Sequence, residues 1–310
     1  TIHHLDVKSA FLNGYLDEDI YMSLPREYSL PNGTACKLKR SIYGLRQAPR
    51  AWNKRLTDDL KLSGFQPLIN AESVFSSIID KSVVYLIIYV DDILVVTASE
   101  LALTKAKTLL SELYKIKDLG NAEYFLGVKI EREHKQVKLT QESYTRGVLE
   151  RYGMFESKPT STPMVQSSDL MLKSPCSESD AKRMVGVPYR EAIQCPRPCH
   201  WEGIKRVLRY LKGTMSMGLT YNGEDSSPAL KIYCDADWAT DPEDRHSRSG
   251  VVCFLGKNLV SWSSRKQSTP SVSSCEAEYV SLFEAGRDAV WIRSLMCELG
   301  LCPGSIPTQI

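Results

Sequence analysis

A strongly apolar run that two adjacent aspartates interrupt constrains this chain more than any other feature. Residues 83–90 are Val-Val-Tyr-Leu-Ile-Ile-Tyr-Val, Asp91 and Asp92 follow, and residues 93–96 continue as Ile-Leu-Val-Val. β-Branched and aromatic residues dominate both halves, which predicts two strands. Burying an unpaired carboxylate is costly, so the pair predicts either a cation site or a sharp exposed turn with solvated acids. A tight hairpin would place both carboxylates together at the edge of a sheet.

A third carboxylate, Asp6, lies within another predicted strand, over residues 2–11. Aspartates from two neighbouring strands supply the hard oxygen ligands that a two-metal phosphoryl-transfer site requires, with two Mg²⁺ about 4 Å apart. Neither the pair nor Asp6 establishes such a site alone. Together they make Asp6, Asp91 and Asp92 candidate metal ligands.

The length of 310 residues predicts two globular units. A Ser- and Pro-rich stretch over residues 157–199 has no apolar period, which indicates a linker between a unit over 1–156 and a unit over 200–310. The order of strands and helices predicts an α/β (α+β) fold with helices packed on a sheet, followed by a smaller α/β core. The remaining predicted elements are a strand over 124–131, helices over 51–62 and from Ser99 to Asp118, a helix that ends at Gly213, strands over 230–235, 250–255 and 259–263, and a helix over 275–299.

Composition excludes some classes of protein. The formal net charge is only +2, so overall charge does not indicate a polyanionic partner. Nine scattered cysteines suit reduced thiols better than a disulfide framework. The longest apolar run is far short of the roughly 20 residues that cross a bilayer, and the start lacks a secretory signal. No membrane partner is therefore expected, and the predicted location is intracellular, in the cytoplasm or the nucleus; the oligomeric state stays open.

Local charge is more informative between Cys36 and Arg55. This stretch holds seven basic residues and no acid, and Tyr43 and Trp52 lie among them. Basic side chains interleaved with aromatic rings suit contact with phosphates and bases. The alternative is a solvated helix face with extended basic side chains. The candidate nucleic-acid-binding residues are Lys37, Lys39, Arg40, Arg46, Arg50, Lys54 and Arg55.

Several long motifs resemble the reverse transcriptase of copia-type retrotransposons and the ribonuclease H region that follows it in the same polyprotein. The resemblance covers nearly the whole chain. The first group of motifs comprises Leu5-Asp-Val-Lys-Ser-Ala-Phe-Leu-Asn-Gly14, Lys39-Arg-Ser-Ile-Tyr-Gly-Leu-Arg-Gln-Ala-Pro-Arg-Ala-Trp52, Tyr89-Val-Asp-Asp92 and Lys117-Asp-Leu-Gly120 with Phe125-Leu-Gly127; the second comprises Arg209-Tyr-Leu-Lys-Gly-Thr214, Asp235-Ala-Asp-Trp-Ala239 and Ser273-Ser-Cys-Glu-Ala-Glu-Tyr279.

The resemblance implies a right-hand polymerase with a palm-type sheet in which Asp6, Asp91 and Asp92 are the catalytic, Mg²⁺-binding acids. It also implies that Tyr43 and Gln47 help to shape the nucleotide pocket. The implied activity is that of an RNA-directed DNA polymerase, a nucleotidyltransferase. Its partners would be an RNA template, a DNA primer and deoxynucleoside triphosphates.

For the second unit, the resemblance implies a ribonuclease H-like domain with Asp235 and Glu278 as catalytic and metal-binding acids. Asp237 and Glu276 lie next to them and are expected to be solvated. The family uses a further aspartate on a later strand, which this chain does not reach, so the expectation is a truncated domain without measurable ribonuclease H activity.

Other departures from the family pattern leave the activity of this chain open. The sequence starts close to Asp6, without the preceding fingers segment, and passes quickly through Gln194 to Cys199, which predicts an internal deletion. A catalytically inactive, nucleic-acid-binding remnant is therefore the main alternative to an active polymerase fragment, and a nuclease acting alone is a third. The histidines, His4 among them, have no partner that the sequence identifies.

Overall fold

The computed structural model describes residues 1–24, 35–164, 198–223, 229–241, 244–301 and 308–309. Contacts group these residues into two units, Thr1–Phe125 with Ser294–Leu299, and Leu126–Arg293 with Gly300–Ile310. This grouping divides the chain after Phe125, whereas the sequence predicts a first unit over 1–156. Most of the predicted linker, including the proposed deletion near Gln194, lies outside the described residues. In the part of the chain that is described, no helix is both long and apolar enough to cross a membrane.

The first unit is built on a six-stranded sheet. Its strands lie in the order β4-β5-β6-β7-β1-β8, and neighbouring strands are antiparallel; β2 and β3 form a separate pair. The elements are β1 (Ile2–Val7), a 3₁₀ helix (Ala10–Asn13), β2 (Tyr21–Ser23), β3 (Ala35–Lys37), α1 (Ala48–Leu62), β4 (Gln66–Pro67), β5 (Val74–Ile79), β6 (Ser82–Tyr89), β7 (Asp92–Thr97), α2 (Glu100–Leu113), β8 (Ile116–Asn121) and β9 (Tyr124–Phe125).

Helices α1 and α2 pack their apolar faces on this sheet. In α1, Trp52, Leu56 and Leu60 recur every four residues and are all buried in one core. The hydroxyl of Ser99 accepts a hydrogen bond from the Ala102 amide at 3.3 Å, so it caps α2 as the sequence predicts. The same core holds Val84, Leu86 and Ile93 of the central hairpin.

Two predicted strands are too long. The strand predicted over 2–11 ends at Val7, because Ser9 adopts a positive φ of 55° and the 3₁₀ helix follows. The strand predicted over 124–131 is split between β9 and the next strand, since Leu126 and Gly127 have φ values of 50° and 78°. A left-handed residue cannot continue an extended strand.

The second unit contains two more sheets and three helices. One sheet places its strands in the order β12-β11-β10, and the other has the order β15-β14-β13-β16, with β16 parallel to β13. Three strands followed by a long helix are confirmed. The elements are β10 (Val128–Glu133), β11 (Gln136–Thr140), α3 (Glu142–Arg151), α4 (Pro198–Gly213), β12 (Gly218–Asn222), β13 (Leu230–Ala236), β14 (Arg248–Leu255), β15 (Asn258–Lys266), α5 (Ser274–Glu298) and β16 (Thr308–Gln309).

A buried amide fixes the start of α5 against the second sheet. The side chain of Gln267 is 2% exposed, and its Nε2 atom donates to the Ser249 hydroxyl at 3.1 Å and to the Ala277 carbonyl at 2.9 Å. Its Oε1 atom accepts from the Ser271 hydroxyl at 2.9 Å. Because a buried amide without partners would be destabilising, this network determines where the first turns of α5 lie. The described chain as a whole is a mixed α/β protein with several antiparallel sheets and five α-helices.

Candidate functional site

The central hairpin brings two of the three predicted acids face to face. Strands β6 and β7 are joined by a two-residue turn, Val90 and Asp91, because Tyr89 pairs with Asp92. Asp92 also pairs with Asp6 on β1. Directly opposite residues of antiparallel strands project to the same face with Cβ atoms about 5 Å apart. Asp6 and Asp92 are therefore neighbours, and Asp91 follows them in the turn, where its carbonyl accepts a hydrogen bond from the Val7 amide at 2.8 Å.

A histidine that the sequence left without a partner contacts this group. The Nε2 atom of His4 donates to Oδ1 of Asp92 at 2.7 Å, and the His4 ring packs edge-on against Phe125 at 5.8 Å between centroids. The sequence identifies no partner for His4, and the structure provides one in Asp92. His4 precedes Asp6 by two positions on β1, and residues two apart on a strand share a face. That spacing is the sequence signal that could have identified it.

The donor atoms of this group are of the type that a hard cation prefers, but Asp6, Asp91 and Asp92 are not arranged together as one three-ligand site. Asp6, Asp91 and Asp92 are half-buried and offer carboxylate oxygens, the ligands that Mg²⁺ prefers. Within the described ranges, no set of three or more His, Cys, Asp or Glu side chains is arranged to hold a metal ion. His4 binds one carboxylate oxygen of Asp92. The other oxygen of Asp92 and the facing Asp6 carboxylate remain as donors for a cation.

The seven basic residues that precede and begin α1 differ in how they are held. Three of them are ion-paired: Lys37 with Asp19 at 2.6 Å, Lys54 with Asp17 at 3.1 Å, and Arg55 with Asp59 at 2.7 Å. The guanidinium of Arg40 lies over the Tyr15 ring, 5.4 Å from its centroid. The side chains of Lys39, Arg46 and Arg50 are exposed and make no hydrogen bond or ion pair with any described residue. Together with Arg40, which forms no ion pair with a described carboxylate, these three are the cations available to an anionic ligand.

The two predicted nucleotide-pocket residues lie in this same segment. Tyr43 is 55% exposed, and its ring packs on Phe11 at 4.8 Å between centroids. Gln47 lies immediately before α1 and lines a cavity of about 370 Å³ with Arg50, Lys54 and the acidic pair Asp17 and Glu18. Tyr43 therefore has a surface that a base or sugar can reach.

Trp52 does not have the role that the aromatic pattern suggested. It is only 2% exposed, so its ring cannot stack on a nucleic-acid base. Its indole Nε1 atom instead donates to the Val90 carbonyl in the turn between β6 and β7, at 2.6 Å.

Removing the charges of Arg46 and Arg50 is expected to change how nucleic-acid binding depends on salt. Each phosphate contact that is lost should lower the slope of log K against log salt by about one, so Arg46→Gln with Arg50→Gln should lower it by about two. The measurement is fluorescence anisotropy of a labelled hybrid over a salt series. Lys61→Gln with Lys81→Gln removes two exposed charges elsewhere in the first unit and is the matched control. An unchanged slope in the arginine variant would show that these side chains are a solvated face.

In the second unit, helix α5, which carries Glu278, packs against strand β13, which carries Asp235. Asp235 pairs with Gly250 across β13 and β14, and the hydroxyl of Ser281 donates to the Asp235 carbonyl at 2.8 Å. Glu278 precedes Ser281 by less than one turn of α5. The pKa of the Cys234 thiol is raised, first by burial and then by the negative charges of Glu278 and Asp235, so both carboxylates act on one neighbouring group.

Asp237 and Glu276 were expected to be solvated; Glu276 is exposed and Asp237 is half-buried, and both also accept hydrogen bonds from the backbone. Oδ1 of Asp237 accepts from the Arg248 amide at 2.5 Å. The Glu276 carboxylate accepts from the Val272 amide at 2.6 Å, while the Glu276 amide donates to the Ser273 hydroxyl at 3.2 Å. This reciprocal arrangement resembles a capping box at the start of α5. Both acids therefore have a structural function.

Comparison with known proteins agrees with the motifs. Residues 1–166 match the family model described as reverse transcriptase (RNA-dependent DNA polymerase). The retrovirus-related Pol polyprotein from transposon TNT 1-94 of Nicotiana tabacum is 36% identical over 97% of this chain and 25% of its own length. The corresponding polyprotein from transposon RE2 of Arabidopsis thaliana is 35% identical over 97% of this chain and 22% of its own length.

A shorter relative covers the chain almost end to end. The putative transposon Ty5-1 protein of Saccharomyces cerevisiae is 31% identical over 90% of this chain and 98% of its own length. This chain spans about a quarter of the length of the plant relatives. Because the family model matches more than half of the 310 residues, the chain belongs to the reverse transcriptase (RNA-dependent DNA polymerase) family, with copia-type Pol polyproteins of plant transposons among its homologues.

Proposed function

We propose that the chain is the polymerase portion of a copia-type Pol polyprotein and adds deoxynucleotides to a DNA primer on an RNA template. The observation that carries this proposal is the register that sets Asp6 opposite Asp92, with Asp91 in the adjoining turn. Two neighbouring strands, β7 and β1, thus carry carboxylates at adjacent strand ends, as a palm-type polymerase site needs. The exposed cations of the segment before α1 support the same function.

Asp6, Asp91 and Asp92 would hold the divalent cations. Mg²⁺, when bound, supplies positive charge to the attacking and leaving oxygens of an in-line displacement at phosphorus. The sheet holds Asp6 and Asp92 in place through their main chains, so little reorganisation is needed to bind ligand. His4 keeps one oxygen of Asp92 oriented.

The segment around Tyr43 would bind and orient the polyanionic partners. Lys39, Arg46 and Arg50 attract phosphates, because their charges are not neutralised by a carboxylate in the described part of the chain. Tyr43 offers an exposed ring for the nucleotide, and Gln47 offers an amide beside Arg50. Correct placement of primer and nucleotide accounts for much of the rate that a polymerase provides.

The direct test is primer extension by the 310-residue chain on an RNA template with Mg²⁺. Polymerase activity predicts labelled primer that grows only with the complementary deoxynucleotide. An inactive nucleic-acid-binding remnant predicts hybrid binding with the salt dependence described above and no extension with either Mg²⁺ or Mn²⁺. That second result would overturn the proposed activity and leave family membership unchanged.

A ribonuclease H-like function of the second unit is the second candidate. The packing of α5, which carries Glu278, against the strand that carries Asp235 favours it. Hydrolysis of a phosphodiester with two cations needs enough carboxylates to hold both, and no third such residue joins these two in the described second unit.

We therefore expect this chain to leave the RNA strand of an RNA–DNA hybrid uncut. The measurement is the release of labelled RNA fragments with Mg²⁺ over hours, and Asp235→Asn is the control that identifies contaminating nuclease. Fragment release that Asp235→Asn abolishes would contradict this expectation and assign nuclease activity to the second unit.

A further inference from the structure

The turn that carries Asp91 has a backbone conformation that its sequence disfavours. Val90 has a φ of 57°, in the left-handed region, where β-branched residues are genuine outliers. A two-residue hairpin turn with a positive φ at its first position normally has Gly there. Such strain persists only when the surrounding structure enforces it.

One side chain of α1 contacts this turn. The indole N–H of Trp52 donates to the Val90 carbonyl at 2.6 Å, from a position 38 residues earlier in the chain. A cavity of about 290 Å³ lies between α1 and the hairpin and is lined by Trp52, Tyr89 and Val90. The hydrogen bond therefore joins the turn to α1 beside this cavity.

Trp52 is itself held in one orientation. Its ring lies edge-on to Tyr114, with 5.0 Å between centroids, and the Tyr114 hydroxyl donates to Oδ2 of Asp59 at 2.5 Å. Arg55 donates to the same oxygen at 2.7 Å. These contacts fix the indole within the core, so the direction of its N–H is set independently of the turn.

We propose that Trp52 is a positioning residue that holds Val90 in its left-handed conformation and thereby places the Asp91 and Asp92 carboxylates. The inference deepens the proposed polymerase function and rests on it for its catalytic meaning. Trp52 is buried and cannot touch nucleotide, so it acts through the turn alone. A buried aromatic residue within the basic segment would thus position the proposed metal-binding acids.

The Val7 amide gives a direct readout of the turn, because it donates to the Asp91 carbonyl at 2.8 Å. In Trp52→Phe, which keeps a buried ring and removes the N–H, hydrogen exchange at Val7 should accelerate about tenfold, the loss expected from one hydrogen bond. The Lys8 amide, which donates to the Lys115 carbonyl at 2.9 Å on the other side of β1, should exchange as before. Trp262→Phe, at a tryptophan of the second unit that is 60% exposed, is the matched control.

The double variant Trp52→Phe with Val90→Gly distinguishes a loss of turn positioning from a loss of core packing around residue 52. Glycine adopts a positive φ without strain, so the turn no longer needs the indole, and the double variant should regain most of the Val7 protection. Equal acceleration at Val7 with and without Val90→Gly would overturn the proposal, as would no acceleration in Trp52→Phe. If Trp52→Phe fails to fold, a double variant that folds supports the proposal and one that does not fold contradicts it.

Primer extension supplies a second, separate readout. Trp52→Phe should lower kcat and leave the nucleotide KM within about twofold, because the nucleotide contacts are intact while the acids are displaced. A higher KM with unchanged kcat would contradict the positioning role. Hydrogen exchange requires no catalysis, so an inactive wild-type chain would overturn the polymerase proposal alone and leave the exchange test valid.

Discussion

Asp92→Asn is expected to reduce primer extension by at least about a thousandfold. The substitution keeps the size and the strand register of the side chain but removes a negative charge that faces Asp6. A bound metal ion supplies several kcal/mol of transition-state stabilisation, and each 1.36 kcal/mol corresponds to a factor of ten in rate. Asp6→Asn should have an effect of similar size, since it is the other half of the same pair. Single-turnover extension with a fixed nucleotide concentration measures both.

Asp118→Asn is the matched control for this series. Asp118 lies on β8, next to β1 in the same sheet, and it pairs with Leu5 in register and with Lys107 through its side chain. Its carboxylate is outside the pair formed by Asp6 and Asp92, so the rate should change by less than about threefold, the scale of an exposed ion pair. An equally large loss in Asp118→Asn would show that the effect reflects general damage to the sheet.

Gly14→Ala is expected to destabilise the first unit by about 3 kcal/mol, the upper end of the usual cost of overpacking. A Cβ at Gly14 would lie 2.8 Å from the Ser41 hydroxyl oxygen and 2.9 Å from backbone atoms of both Ala51 and Trp52. Backbone atoms within a helix cannot move aside cheaply, so α1 must shift as a whole. Urea unfolding followed by tryptophan fluorescence measures the loss.

A second glycine provides the control with the opposite sign. Gly147 lies within α3, and a Cβ there would meet no atom within 4 Å. Alanine is favoured over glycine inside a helix by up to about 1 kcal/mol, so Gly147→Ala should stabilise the chain slightly. If Gly14→Ala left the midpoint of unfolding unchanged, the packing between the 3₁₀ helix and α1 would be looser than the structure indicates.

The sequence predicts the parts of the fold whose signals are local. The apolar runs on either side of Asp91 and Asp92 predict the hairpin, and the spacing of Trp52, Leu56 and Leu60 predicts most of α1. The long helix of the second unit is predicted within one residue at each end. These elements combine strong periodicity or β-propensity with clear end signals.

Sequence patterns do not predict elements and contacts that depend on residues far apart along the chain. Strand β8 is Ile-Lys-Asp-Leu-Gly-Asn, whose composition does not indicate a strand, and it exists because β1 supplies its hydrogen-bonding partner. The contact between His4 and Asp92 joins residues that are 88 positions apart, and it depends on the register of two strands. Burial of Trp52 follows from its place in the apolar stripe with Leu56 and Leu60, a signal that competes with the basic and aromatic pattern around it.

The pairing of Asp6 with Asp92 depends on how many residues β1 contains as well as on which residues they are. Successive side chains of a strand alternate between faces, so one codon inserted between His4 and Asp6 would send Asp6 to the opposite face and expose the apolar side of β1. Two inserted codons would restore the face but move Asp6 past Asp92 by about 6.8 Å, two residues' rise along a strand. Even an in-frame change of length in β1 therefore separates the acids, although every residue type in the strand is kept.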